Sequence, residues 1–480
     1  MFDLILKNLK LLDYSDGVSI AIDDGKIAKI SKSSMDGEKV IDLKGQLVLP
    51  GLIDPHVHFR DPGLTYKEDF RTGSMAAAHG GFTFVMDMPN TVPKTNTYKA
   101  FKDKLEMAKN KSIVNFGLHA GYSSLDEMEK ILELNPMSFK VFMDLETDED
   151  LEKIFMDISN LSRKSIVTVH CEKRDMVLES TSNLSDETEA IAYSYGRPAE
   201  SEDASVSQAI ELSKKYGNDL HICHLSTKNA MNLAMANNVT FEFTPHHLLY
   251  DNSAFNEFGT LIKTNPPLRE IGKNITISDI NENSIIGTDH APHSLEEKNR
   301  GVWDSSPGIP SLETVLSLLL AEVNKSNLDI NLIPKIFSEN AAKRFNLNGK
   351  GFIKEGFDAD LVIVDLNREG VFDIDDFYTK AEYSPFDGLS YKGKATMTIV
   401  NGEVIMENDE ILIWIFNQLL GYFNFYSIAL LPKLFKQFFT FLMFDAFHFF
   451  EFLFFFYFSY VWCFFHFFWI FLFDYLFIKI

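Results

Sequence analysis

Leu47-Val48-Leu49-Pro50-Gly51-Leu52-Ile53-Asp54-Pro55-His56-Val57-His58 sets an apolar β run directly before two histidines. On an extended backbone residues i and i+2 face the same side, so both imidazoles can reach one ion. A run apolar on both faces fits a strand buried in a parallel sheet. Counting Leu47–Ile53, eight such runs occur; the others are Thr83–Met88, Val114–Leu118, Phe139–Met143, Ile166–Val169, Leu220–Cys223, Thr240–Phe243 and Ser284–Gly287. Helical patterns lie between most of them, among them Lys67–Ala78, Ser124–Leu134, Glu149–Leu161 and Asp203–Lys215. This alternation over residues 49–348 predicts an α/β fold, a TIM (β/α)8 barrel, whose functional site lies at the C-terminal strand ends.

Outward from the barrel, residues 1–48 and 349–408 read as short strands. Leu4–Leu6, Val18–Ile22 and Lys26–Ile30 lie at one end, with Asp23-Asp24-Gly25 as turn material. Asp360–Asp365 and Thr396–Val400 lie at the other, followed by the hairpin signal Asn401-Gly402. Two β segments at opposite ends of the enzyme portion can pair into one small β-sandwich, with the barrel inserted between them.

The residues behind the runs carry the chemistry. Run one ends in His56 and His58, and run two is followed by Asn90. Run four contains Lys140 and is followed by Asp144; run five precedes His170, run six His224 and run eight Asp289. Nitrogen and carboxylate ligands in this mixture suit zinc or a similar transition metal. Singly, each residue has an ordinary explanation, such as a core histidine or a helix-capping aspartate. Independent chance would scatter them over both barrel ends. His221 competes with His224, because residues three apart on a straight strand face opposite ways; His224, nearer the active end, is preferred. His79, His119, His246, His247, His448 and His466 are expected to be surface or supporting groups.

Asp54–Gly63 (DPHVHFRDPG), Asp87–Thr91 (DMPNT), Ser138–Met143 (SFKVFM), Thr244–Leu248 (TPHHL), Asn265–Arg269 (NPPLR) and Gly287–His293 (GTDHAPH) resemble the amidohydrolase superfamily, and within it the dihydroorotases of the class I type. The resemblance spans about residues 1–408. It implies a zinc-dependent cyclic amide hydrolase of pyrimidine (UMP) biosynthesis that interconverts N-carbamoyl-L-aspartate and dihydroorotate. It also implies two Zn2+ held by His56, His58, Lys140, His170, His224 and Asp289, with N6-carboxylated Lys140 as the bridge. Asp144 is the alternative bridging ligand. Two ions about 3.5–4 Å apart can share a hydroxide, since the pKa of bound water falls to about 7. That hydroxide would attack the ring amide, with Asp289 as general acid/base. Arg60, two residues past His58, offers a fork that matches the substrate carboxylate; its bland alternative is a surface salt bridge with Asp61. The resemblance adds His58, Asn90 and His293 at that end, and Asn265 with the Pro307-Gly308 backbone at the pyrimidine ring. Hydantoinases and allantoinases share the fold and ligands but do not usually carry Phe59-Arg60-Asp61-Pro62-Gly63 after the histidine pair. A non-enzymatic partner of aspartate carbamoyltransferase is a further alternative, weakened because every ligand position is filled.

The formal charge of −23 repels phosphate backbones and argues against nucleic acid. Three cysteines without a CxxC pair fit a reducing, cytoplasmic setting, and the N-terminus lacks signal-peptide features. A homo-oligomer, or association with aspartate carbamoyltransferase, is compatible with the sequence. Composition breaks near residue 410. Residues 411–480 hold 23 of the 44 phenylalanines, and their charges cancel, so the whole acidic excess belongs to residues 1–410. This Phe-rich tail reads as the product of a frameshift or a missing stop codon, with a membrane segment as the alternative; a helical, poorly packed segment is expected.

Overall fold

In the computed structural model, residues 1–14 and 17–412 are described; the expectations for the Phe-rich tail lie outside them. Among the described residues no helix is long and apolar enough to cross a membrane.

The eight runs become eight parallel strands: Leu52–Val57, Phe82–Asp87, Asn115–Leu118 with its continuation Ala120–Gly121, Phe139–Phe142, Ile166–His170, Asp219–Ile222, Thr240–Phe243 and Ile285–Ile286. Each pairs in parallel with the next. The third meets the fourth through Met137 N–H to Leu118 O and Ala120 N–H to Ser138 O. The ring closes where Val57 bridges His290 and His58 N–H donates to His290 O. Ile53, Phe84, Met86, Ile166 and Ile285 form one apolar cluster with Ala341, Ala342 and Phe345 from a helix near the end of the barrel segment. Such filling makes the barrel interior a packed core, not a pore. The intervening helices start where the sequence supplies a cap. Ser124 caps Leu125–Leu132, and Thr147 with Asp150 forms a capping box for Asp148–Ser159.

The opening run, read above as one strand, is two. Leu47–Pro50 pairs antiparallel with Leu361–Val364 in a five-stranded sheet, and Leu52–Val57 opens the barrel. Gly51 is the divide: a Cβ there would lie 2.2 Å from Thr83 Oγ1, so only glycine lets the chain change sheets at this close approach. A four-stranded sheet holds the N-terminal strands. Leu4, Leu6, Ile20 and Ile22 from that sheet pack with Val48, Leu361, Ile363, Met397 and Ile399 from the other, giving the small β-sandwich. Barrel and sandwich belong to one compact unit.

Candidate metal and substrate site

The barrel mouth is tied together before any ligand is considered. Asp54 accepts the backbone N–H of His56 (2.9 Å) and of Thr288 (3.1 Å), fixing the first strand to the segment that leads to Asp289. Asp87 accepts Phe59 N–H at 2.6 Å and pairs with the fully buried Lys104 at 2.5 Å, holding the turn after the histidine pair. Three candidate site residues, Arg60, His224 and Asp289, have positive φ of 60°, 35° and 49°. For a side chain with a Cβ this costs about 1–2 kcal/mol per residue, which the fixed surroundings sustain.

One cluster joins His56, His58 and Asp289, whose candidate ligand atoms lie within 4.8 Å of one another. His58 Nδ1–H donates to Asn90 Oδ1 (2.7 Å) and His56 Nδ1–H donates to Glu242 (2.9 Å). Both therefore turn the Nε2 lone pair toward Asp289 Oδ1, at 2.9 Å and 3.4 Å. Burial lowers His58 to about 4, so it is neutral at pH 7. Burial works against the charge of Asp289, but His56 and His58 more than offset it, and Asp289 lies well below the usual carboxylate range. Two imidazole lone pairs and a carboxylate oxygen converging this closely fit a cation between them.

A second cluster lies across the mouth. His170 Nε2–H donates to Glu172 (2.9 Å), leaving Nδ1 facing His224 Nε2 at 3.1 Å. His224 Nδ1 is buried without a partner among the described residues, and burial pushes this imidazole well below its ordinary pKa. His170 Nδ1, unprotonated, can accept from His224 Nε2–H, and the other His224 tautomer turns two lone pairs toward each other as a shared cation would require. The two clusters meet through His56 and His224, whose rings lie 5.0 Å apart. Lys140 is buried and its ammonium sits 2.8 Å from Cys223 Sγ. Cys223 in turn groups with His56 and His224. Asp144 lies on the outer side of His170, 3.7 Å from Nε2, and pairs with Arg197 at 2.8 Å.

At the substrate end, Arg60 is buried, with Nη2 3.0 Å from His293 Nε2 and Nε unpartnered among the described residues. The alternative pairing with Asp61 does not form: Asp61 binds Lys111 at 2.6 Å. His293 Nε2–H donates to Pro307 O (3.0 Å), and Lys67 lies 3.2 Å from Nδ1. Burial, with Arg60 and Lys67 nearby, keeps His293 neutral. Asn265 accepts from Tyr193 O–H at 2.5 Å. Gly308 has φ 142°, and a Cβ there would fall 2.4 Å from Ala291 O. Its N–H is taken by Lys263 O and its carbonyl by Lys298 and Tyr383, so the 307–308 backbone has little hydrogen-bonding capacity to spare.

Several sequence expectations change. His221 and His224 are not alternatives on one straight strand. The strand stops at Ile222, and His221 is fully buried against Glu242 (2.9 Å) while His224 enters the second cluster. His79, His119, His246 and His247 are all buried, so none is a surface group. Glu242, Glu172, Arg197 and Lys67 were missed, although a lone Glu242 inside the apolar strand Thr240–Phe243 had to find a buried partner.

Residues 47–405 match the amidohydrolase family. A dihydroorotase of Methanothermobacter thermautotrophicus is 50% identical, over 86% of this chain and 96% of that protein. A dihydroorotase of Pyrococcus horikoshii is 39% identical, over 82% and 89%. Among solved structures, the L-hydantoinase (dihydropyrimidinase) of Arthrobacter aurescens superposes with a TM-score of 0.81 at 31% identity, covering 86% of this chain and 98% of that one.

Proposed function

The chain belongs to the amidohydrolase family, and from that premise we propose that it is a dihydroorotase, catalysing the reversible cyclisation of N-carbamoyl-L-aspartate to (S)-dihydroorotate and water in pyrimidine biosynthesis. The observation that carries this reading is Arg60: a buried guanidinium whose Nε has no partner among the described residues, beside the ligand clusters. A guanidinium stays charged even when buried. It therefore calls for an anionic substrate group, and the carboxylate is what dihydroorotate adds to the neutral dihydropyrimidine ring.

His56, His58 and Asp289 would hold one Zn2+, His170 and His224 the other, with carboxylated Lys140 between them. When bound, the pair polarises the amide carbonyl and supplies an activated water. Carboxylation would turn the Lys140 cation into the anion that two adjacent dications require. Asp144 is the weaker candidate, because its carboxylate is already paired with Arg197. Asp289, ionised at neutral pH, takes the proton of the attacking water and delivers it to the ring nitrogen as the carbon–nitrogen bond breaks. Ring closure runs the same path with Asp289 protonated at the start. Arg60, Asn90 and His293 orient the carboxylate. Asn265 and the segment at Pro307-Gly308 border the ring.

The structural likeness to an L-hydantoinase raises a second reading, cleavage of an uncharged cyclic amide. Turnover of dihydroorotate, 5-substituted hydantoin and dihydrouracil by zinc-loaded protein separates the two. Preference for dihydroorotate is expected, and faster turnover of the uncharged rings would overturn the proposal.

A further inference from the structure

Six of the eight strand ends are accounted for by the barrel closure, the ligand clusters or the substrate end, and at the third His119 is satisfied by Ser138 and Pro55 O. The seventh strand, Thr240–Phe243, lies between the strands leading to His224 and Asp289 and contributes no ligand beyond its end. Thr244 and Pro245 start a short helix there, Pro245–Leu249, placing His246 and His247 in its first turn at the barrel mouth. The two rings lie 4.4 Å apart, yet their surroundings differ sharply. His247 accepts Thr244 O–H at 2.6 Å and donates to Pro266 O at 3.0 Å. His246, only 1% exposed, has no hydrogen-bond partner at either ring nitrogen among the described residues. Leaving such a group unmet costs about 1–3 kcal/mol, so a polar group supplied from outside the chain is expected beside it. Besides burial, the groups that act on His246 are Asp289, His56 and Lys298, so it lies within electrostatic reach of the first ligand cluster.

We propose that His246 is a substrate-contacting residue, donating an imidazole N–H to the ureide carbonyl that stays with the leaving nitrogen. This rests on the dihydroorotase reading. A neutral imidazole has one donor and one acceptor, and the cyclic ureide presents carbonyl acceptors. The Gly308 N–H that borders the ring is already consumed by Lys263 O. As the carbon–nitrogen bond breaks, electron density moves onto the nitrogen and its adjoining carbonyl. A donor placed there binds the transition state more tightly than the ground state.

The test compares wild type, His246→Phe and His246→Gln as full-length, zinc-loaded proteins. Phe keeps the volume without the donor, and Gln keeps a donor. In His246→Phe, kcat should fall about 10- to 100-fold with a smaller change in KM, as for loss of one donor to developing charge. Metal content and melting temperature should stay at wild-type values, and Gln should recover part of kcat. A Phe variant with wild-type kcat/KM overturns the inference. So does an equal loss in both variants accompanied by metal loss, which marks a structural role. If Phe does not fold, His246→Leu takes its place as the donor-free variant and is read against His246→Gln on the same terms. If wild type itself does not turn over dihydroorotate, the functional reading fails instead.

Discussion

The two ligand clusters differ in how much of their charge the chain itself supplies. Around His56 and His58 every imidazole has an oxygen partner on its far side, Glu242 or Asn90, and Asp289 brings a full negative charge to the centre. Around His170 and His224 only His170 has such a partner, Glu172, His224 Nδ1 has none among the described residues, and the cation of Lys140 lies beside Cys223, which groups with His56 and His224. The first half is arranged for a dication as it stands. The second has carboxylates only behind His170, at Glu172 and Asp144, and none facing both imidazoles until Lys140 is carboxylated. The first half should therefore fill first and hold its ion without the other.

Four substitutions probe that difference. Asp289→Asn has the largest expected effect: kcat for dihydroorotate should fall by about 10³-fold or more through loss of the proton carrier, while part of the metal stays. An active variant would remove Asp289 from its assigned role. Lys140→Ala should lower zinc from about two to about one per chain, as read by metal analysis, with turnover falling by a smaller factor than in Asp289→Asn. Retention of both ions would shift the bridge to Asp144, and loss of both would show that the first half cannot stand alone. Glu242→Gln should weaken zinc about 10- to 100-fold at the first half only, the usual consequence of removing a carboxylate behind a ligating histidine. Uniform weakening would mean the halves are not separable. Arg60→Lys is the smallest and touches neither half. KM should rise about tenfold, as expected for losing one charge-assisted fork, with both ions retained; an unchanged KM would remove Arg60 from substrate binding.

Much of the architecture was legible because a buried parallel strand leaves a short, continuous apolar run, and all eight runs became strands. The strand-end position of His56, His58, His170 and Asp289, and the place of Lys140 inside its strand, could be read for the same reason. What could not be read depends on backbone bends or distant partners. His224 faces the site because φ turns positive after the strand has ended, which no side-chain periodicity records. Glu242 serves His56 from 186 residues away, so the sequence announces only that a charge is buried, not whom it serves. The split at Gly51 was signalled by Pro50-Gly51 inside the first run. Apolarity on both sides of that pair hid it.

That split also bears on the order in which the protein is made. Leu47–Pro50 has its edge partner in Leu361–Val364. At about 5–20 residues per second of synthesis, the partner leaves the ribosome roughly 15–60 s after the strand it must secure. The histidine pair is therefore among the first functional features to emerge. The strand anchoring the base of its segment is among the last to be held in place.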